Sequence, residues 1–259
     1  QVRGRRTGQL RSFPVVVEVW GWDEAFVGAA TEDPEALARA IKEAVRDRTR
    51  LSCAVGIGET RLQAKTATGF AKPGGVARLT RAAWLPTMGD RPVTAIWGIG
   101  ERTAHRLAEA GVRTVRDLAW ADHEDLARRF GPRIGPSLRV LGLGGDHAPV
   151  VDEPWVPRSR SKETTYRHDL TDPDQVRAEV ERLAAEVTES VVAEGRRVTH
   201  VHVKVRTATF FTRIKSSKLS EPTTDPAVVA ERALVVLDRF EPARRIRLLG
   251  VRVMLELPG

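Results

Sequence analysis

The sequence holds one cysteine, Cys53, so an internal disulfide framework is excluded and a reducing compartment fits. Cys53 stands among Leu51, Ala54 and Val55, which reads as a buried, inert thiol rather than a nucleophile. No apolar run approaches the roughly 18 residues of a membrane span. No secretory leader is visible, and no apolar export segment follows Arg5-Arg6. An initiator methionine is also lacking. The start, Gln1-Val2-Arg3-Gly4-Arg5-Arg6, is what a chain beginning inside a longer protein would show. Acid is scarce relative to base: 34 Asp and Glu stand against 42 Lys and Arg, a net charge of +8. That balance favours a polyanionic partner, nucleic acid first. A ribosome-associated or acidic-membrane-binding protein stays open on composition alone.

What is present suffices for one large domain or two smaller ones: 259 residues, 41% of them hydrophobic. Pro14 to Val19 reads as a strand with Val15, Val17 and Val19 on one face. It runs into Trp20-Gly21-Trp22-Asp23-Glu24-Ala25-Phe26, and Phe26-Val27-Gly28 reads as the return strand of a hairpin. A strand ending in Asp-Glu sets hard anionic oxygens at a sheet edge. That suits Mg²⁺, which takes one or two protein carboxylates plus substrate phosphates. The same pair is also ordinary turn chemistry. Asp33 caps and Pro34 opens a helix to about residue 48, with Leu37, Ile41 and Val45 as its apolar stripe. Residues 51–57 predict a buried strand. A helix follows from about Thr60 to Phe70, carrying Lys65 and stopped by Ala71-Lys72-Pro73-Gly74-Gly75. This begins an α/β layer that usually needs more strands, so an N-terminal part is expected to be missing.

Residues 80–147 change to short helices with glycine turns. In Val93-Thr94-Ala95-Ile96-Trp97-Gly98-Ile99-Gly100-Glu101-Arg102-Thr103, Gly-Ile-Gly opens a helix that Gly111 closes. Two glycines around an aliphatic let a phosphate approach bare N–H groups at the positive helix end, the pattern of a helix-hairpin-helix. A weaker copy stands at residues 130–138. Residues 148–161, with three prolines, form a semi-rigid linker. The remainder reads β-α-β-β-α-β: strands near 160–168, 197–207, 209–218 and 244–256, helices near 173–194 and 226–240. On the strand at 198–206, Val201, Val203 and Val205 face one way. His200, His202, Lys204 and Arg206 face the other. Arg213 and Lys215 on the next strand, and Arg245, Arg247 and Arg252 on the last, are expected to extend one basic face for nucleic-acid phosphates. Basic strand residues also serve to block edge pairing. The two histidines lack a nearby cysteine or carboxylate, which favours phosphate contact or solvation over zinc.

In this order the motifs resemble a Y-family translesion DNA polymerase of the DinB type, from about residue 10 to the end. Trp22-Asp23-Glu24-Ala25-Phe26 is similar to the family's second metal motif. Val55 to Gly58, Ala64-Lys65 and Ala71 to Val76 are similar to its palm. The resemblance implies an α+β, multidomain fold. A partial palm with a sheet and helices would span 1–77, and a small helical thumb with the helix-hairpin-helix 78–147. After the linker at 148–161, a little finger with a four-stranded sheet and two helices would span 162–259. It implies Asp23 and Glu24 as catalytic metal ligands for two Mg²⁺ ions, Glu24 helping to activate the primer 3′-hydroxyl, and Lys72 on the incoming triphosphate. The DNA-binding set would be Gly98, Ile99, Gly100, Arg102, Thr103, Arg158, Arg160, Lys162, His202, Lys204, Arg206, Arg213, Lys215, Arg245 and Arg247. Primer–template DNA and dNTP are the implied partners of a bacterial-type, cytoplasmic, nucleoid-associated monomer. A sliding clamp is a further family partner, but the chain stops at Glu256-Leu257-Pro258-Gly259 without the C-terminal clamp-binding peptide seen in many members. The chain departs from the family in lacking the N-terminal paired-aspartate motif and the fingers, and Trp22 replaces a smaller residue. The expectation is therefore DNA binding without polymerisation by this chain alone. A non-catalytic DNA-binding or scaffold protein is the alternative. An RNA binder is disfavoured because Phe210-Phe211 is the one candidate stacking pair.

Overall fold

The computed structural model describes residues 10–21, 23–146, 148–241 and 245–257. The basic start, Trp22 and Pro258-Gly259 fall outside them. The chain divides into two compact units, Gln1–Glu153 and Pro154–Gly259.

In the first unit, β1 (Val16–Val19) and β2 (Ala25–Gly28) form an antiparallel hairpin, with Val19 opposite Ala25. The Trp20 and Gly21 amides both donate to the Glu24 carbonyl, at 3.0 and 3.3 Å, and so close the turn. Helix α1 (Pro34–Thr49) starts where predicted: Asp33 accepts from the Ala36 amide, and Ala38, Ile41 and Val45 are buried. β3 (Val55–Gly58) pairs in parallel with β4 (Val76–Leu79), and α2 (Arg61–Ala71) is the crossover between them. The expected strand at 51–57 thus begins later, and β4 was not anticipated. Gly56 is required: a Cβ there would sit 2.0 Å from the Ala64 carbonyl oxygen of α2.

Helix α3 (Arg81–Met88), a 3₁₀ turn at Val93–Ala95, and helices α4 (Glu101–Ala108), α5 (Val115–Trp120), α6 (His123–Phe130) and α7 (Ile134–Gly142) complete the unit. One apolar core runs from Leu62 through Trp84, Leu107 and Leu118 to Leu138. Thr60 Oγ1 and Gln63 Nε2 both donate to the Gly144 carbonyl, at 2.8 and 3.1 Å. Trp84 Nε1 donates to the Gly142 carbonyl at 2.8 Å. These bonds fasten the chain after α7 to α2 and α3, so the helical part and the β–α–β part share one scaffold.

The second unit is one antiparallel sheet, ordered β5-β8-β6-β7, with two helices. The elements are β5 (Ser159–Leu170), α8 (Pro173–Val192), β6 (Val198–Thr207), β7 (Thr212–Thr223), α9 (Pro226–Leu237) and β8 (Ile246–Leu255). This is the order read from the sequence. Val176, Val180, Leu183, Val187 and Val191 of α8 bury one stripe, as do Val229, Ala233 and Val236 of α9. They pack on Val201, Val203 and Val205 and on Leu249, Val251 and Val253. Among the described residues no helix is long and apolar enough to cross a membrane.

Candidate functional site

Asp23 and Glu24 stand side by side at the β1–β2 turn, both exposed. They line a cavity of about 700 Å³ bounded by the hairpin, α1, β3 and α2. Phe26, Ile41 and Ile57 give that cavity an apolar wall, and Lys65 and Arg61 of α2 add charge to it. The Lys65 ammonium donates to Glu24 Oε1 as an ion pair. Asp23 has no side-chain partner among the described residues. No group of three or more His, Cys, Asp and Glu is arranged for a metal among the described residues. The two adjacent carboxylates nevertheless fit a hard divalent cation that completes its shell with substrate phosphates and water.

Lys72 is elsewhere. It is the exposed C-cap of α2, two turns beyond Lys65, and does not line the cavity. The cation beside the carboxylates is Lys65, four residues after Arg61 and on the same helix face. Sequence reading passed over it because a lysine inside a helix resembles any solvated one until the helix phase is known.

The Gly98-Ile99-Gly100 turn has the expected form. Gly98 takes φ +98°, a backbone region that disfavours other residues. Ile96 and Ile99 are buried, so the glycines between and after them are pushed to the surface. Gly100 caps α4 with no side-chain cap bond, and the Thr103 and Ala104 amides both donate to its carbonyl at 3.0 Å, which leaves the Glu101 and Arg102 amides without a helical acceptor among the described residues. The Arg102 side chain is exposed. A second turn at Gly131, φ +90°, leads into α7. Arg106 joins the two hairpins: its guanidinium lies 4.4 Å from the Phe130 ring and bonds to the Arg129 carbonyl. Both turns therefore belong to one helical block, joined through Arg106.

The sheet of the second unit corrects the expected basic face. Residues directly opposite on paired strands share a face. Lys215 lies opposite Val203 and Arg213 opposite Val205, so both project to the helix-bearing side. Lys215 indeed lies 5.1 Å from the Phe240 ring, and Arg213 lies 5.0 Å from the Phe211 ring. Arg160 and Lys162 of β5 lie opposite Val253 and Val251, again on the helix side, and Arg160 pairs with Glu194 at 2.6 Å. Arg245 and Arg247 are both held by Asp169, at 3.2 and 3.6 Å, near the irregular start of β8. Arg158 precedes β5 and is exposed.

The open face carries His200, His202, Lys204 and Arg206 of β6, Lys218 of β7 and Arg252 of β8 beside neutral residues such as Ser216, Ile214 and Met254. Lys218 was missed by sequence reading, and only strand register could have found it. Glu163 of β5 lies on the same face, level with Gly250 and Lys204, and pairs with Lys204 at 2.8 Å. His202 Nε2 is buried without a partner. Burial first, then Arg252 and His200, hold its imidazole below the ordinary histidine value.

Comparison with known proteins agrees with this layout. Residues 5–69 match the impB/mucB/samB family, and residues 157–255 match the impB/mucB/samB family C-terminal domain. Residues 90–138 match a SAM-like helix-hairpin-helix tandem, which covers both glycine turns. DNA polymerase IV 2 of Mycobacterium bovis is 47% identical over 249 residues, covering 95% of this chain and 72% of that protein. DNA polymerase IV of Streptomyces coelicolor is 35% identical over 251 residues, 94% of this chain and 52% of that protein. A solved Y-family DNA polymerase chimera superposes with a TM-score of 0.81 over 98% of this chain and 74% of its own, at 21% identity. At that identity the likeness carries the fold, and the mycobacterial relative carries the kinship. Polymerases of this kind generally use a divalent metal. The chain belongs to the DinB-type Y-family DNA polymerases, the translesion enzymes called DNA polymerase IV.

Proposed function

We propose that Asp23 and Glu24 are catalytic Mg²⁺ ligands of a template-directed translesion polymerase that adds dNTP to a primer 3′-hydroxyl. The observation that carries this reading is the meeting of two adjacent carboxylates and Lys65 on one cavity wall. Bound Mg²⁺ supplies charge stabilisation for the attacking and leaving oxygens of an in-line transfer. Asp23 and Glu24 offer oxygens from a closed turn, so little ordering is needed when the ion arrives. Lys65 is the cation for the triphosphate in this reading, in the role the resemblance gave to Lys72. Its bond to Glu24 keeps both groups in place until substrate separates them.

The glycine turns hold the duplex backbone by amide donors, and the open sheet face adds Lys204, Arg206, Lys218 and Arg252 along the phosphates. Primer–template DNA and dNTP are thus the partners, and the protein acts as a cytoplasmic, nucleoid-associated monomer.

The test is primer extension by the chain together with whatever its reading frame encodes on either side. Asp23→Ala and Glu24→Ala should each abolish extension while duplex affinity stays within about threefold, as expected when transition-state charge stabilisation alone is removed. Unchanged extension by either variant would remove that residue from the catalytic centre, and no extension by the unaltered protein would favour a non-catalytic DNA-binding protein.

A further inference from the structure

Helix α2 grips the carboxylate hairpin at two points, one turn apart. Lys65 holds Glu24 at the turn, and this pair is open to solvent. Arg61 holds Glu18 on β1, and that pair is nearly closed off, with side chains 10% and 15% exposed. Arg61 Nη1 donates to both Glu18 oxygens, at 3.2 and 3.1 Å, and to the Pro149 carbonyl at 3.4 Å. Its Nε lies 3.7 Å from Asp146. The guanidinium carbon lies over the Trp20 and Phe26 rings, 5.0 and 4.8 Å from their centres. Glu18 accepts two more bonds, from Trp20 Nε1 at 2.6 Å and from the Val151 amide at 3.2 Å. Trp20 meets Trp97 edge-on at 5.1 Å, and Trp97 directly precedes Gly98 of the first glycine turn.

The two grips differ in what substrate does to them. Given the polymerase reading above, Glu24 turns to a metal and Lys65 to a triphosphate, so their mutual bond is lost. Arg61 also borders the cavity, but Glu18 does not line it, and the remaining Glu18 lone pairs are satisfied by protein donors, so this pair has no ligand to change to. We infer that Arg61 is a positioning residue for Asp23 and Glu24: the fixed strut that keeps the hairpin aimed while Lys65 changes partner. The Trp20–Trp97 contact extends this strut to the DNA-holding turn. A lysine's single ammonium cannot reproduce the guanidinium's contacts with both rings while reaching both Glu18 oxygens.

The experiment compares Arg61→Met, Arg61→Lys and Glu18→Gln with the wild type, in the protein as its reading frame encodes it. Two readouts are needed: extension kinetics, and Tb³⁺ luminescence sensitised by tryptophan near the carboxylates. Asp23→Ala and Glu24→Ala serve as controls that remove the Tb³⁺ signal. Arg61→Met should weaken Tb³⁺ about tenfold and lower kcat by tenfold or more, in the range seen when partners of metal ligands are removed. KM for dNTP and the Kd for duplex should stay within about threefold. Glu18→Gln, which keeps shape and most hydrogen bonds, should give a smaller loss of the same kind, and Arg61→Lys should recover part of it. Folded Arg61→Met and Glu18→Gln proteins with wild-type Tb³⁺ affinity and kcat would overturn the inference. So would a loss confined to thermal stability. If the wild type does not extend primers, the polymerase reading fails, and the Tb³⁺ comparison still decides whether Arg61 positions the carboxylates.

Discussion

Lys65 and Lys72 ride on one helix, two turns apart, and only Lys65 meets a carboxylate. Lys65→Ala should therefore lower kcat/KM for dNTP by about 10- to 100-fold, the scale of a lost charge contact made in the transition state. Lys72→Ala should change it by less than about threefold. Pre-steady-state extension at varied dNTP measures both, and a reversed order of effects would return the triphosphate to Lys72. Lys72 was named through the resemblance, as the lysine before the proline of the helix stop Lys72-Pro73-Gly74-Gly75. Asp23 and Glu24 were legible because a strand ending in paired acids is itself a chemical pattern. Arg61 and Glu18 were not, since 43 residues separate them and neither sits in a conspicuous motif. Long-range ion pairs of this kind need the packing of a helix on a hairpin before they can be read.

At the scale of elements, the second unit was almost wholly legible. Period-3.6 stripes predict α8 and α9, alternation predicts β6, and turn residues bound the rest. The faces of the outer strands were not legible, because register decides them and a one-residue slip exchanges the two sides. Charge reversal separates the two assignments. Lys204→Glu with Arg206→Glu and Arg252→Glu should reduce the salt dependence of duplex binding by about 0.9 in log–log slope per lost phosphate contact. Arg213→Glu with Lys215→Glu should leave that slope within about 0.5 of wild type by the same relation. Equal effects of the two sets would mean that DNA follows the sheet edge rather than its open face.

The open face also carries an acid-sensitive element. His202, beside His200 and Arg252, is harder to protonate in the fold than in the unfolded chain. Below the ordinary value of about 6.5 the unfolded state binds the extra proton, so stability falls as pH drops toward the lowered native value. His202→Gln should flatten urea midpoints between pH 7.5 and 5.5. An unchanged pH dependence would assign the acid loss to other groups.

At the scale of the molecule, the division after Glu153 follows from where apolar residues find partners. Every buried member of the second core lies between Leu170 and Leu255, while the first core runs from Leu62 to Leu138. The division falls within the proline-rich stretch 148–161, and β5 begins at Ser159, inside the stretch read as linker. Proline and alternating polar residues look alike in a linker and at the start of an exposed edge strand. The sheet of the second unit has all four strands within it, and its helices pack on one face. Its core needs nothing from the first unit, and its charged face needs nothing to hold it open. Residues 154–259 should therefore fold alone, with a single cooperative urea transition and a midpoint close to that of the same segment in the whole chain. The isolated segment should bind duplex weakly, with a salt slope set by Lys204, Arg206, Lys218 and Arg252. Circular dichroism and fluorescence titration at several salt concentrations measure both. A broad, non-cooperative transition would mean that the second core depends on the first, and a salt slope near zero would remove the phosphate-tracking role of the face.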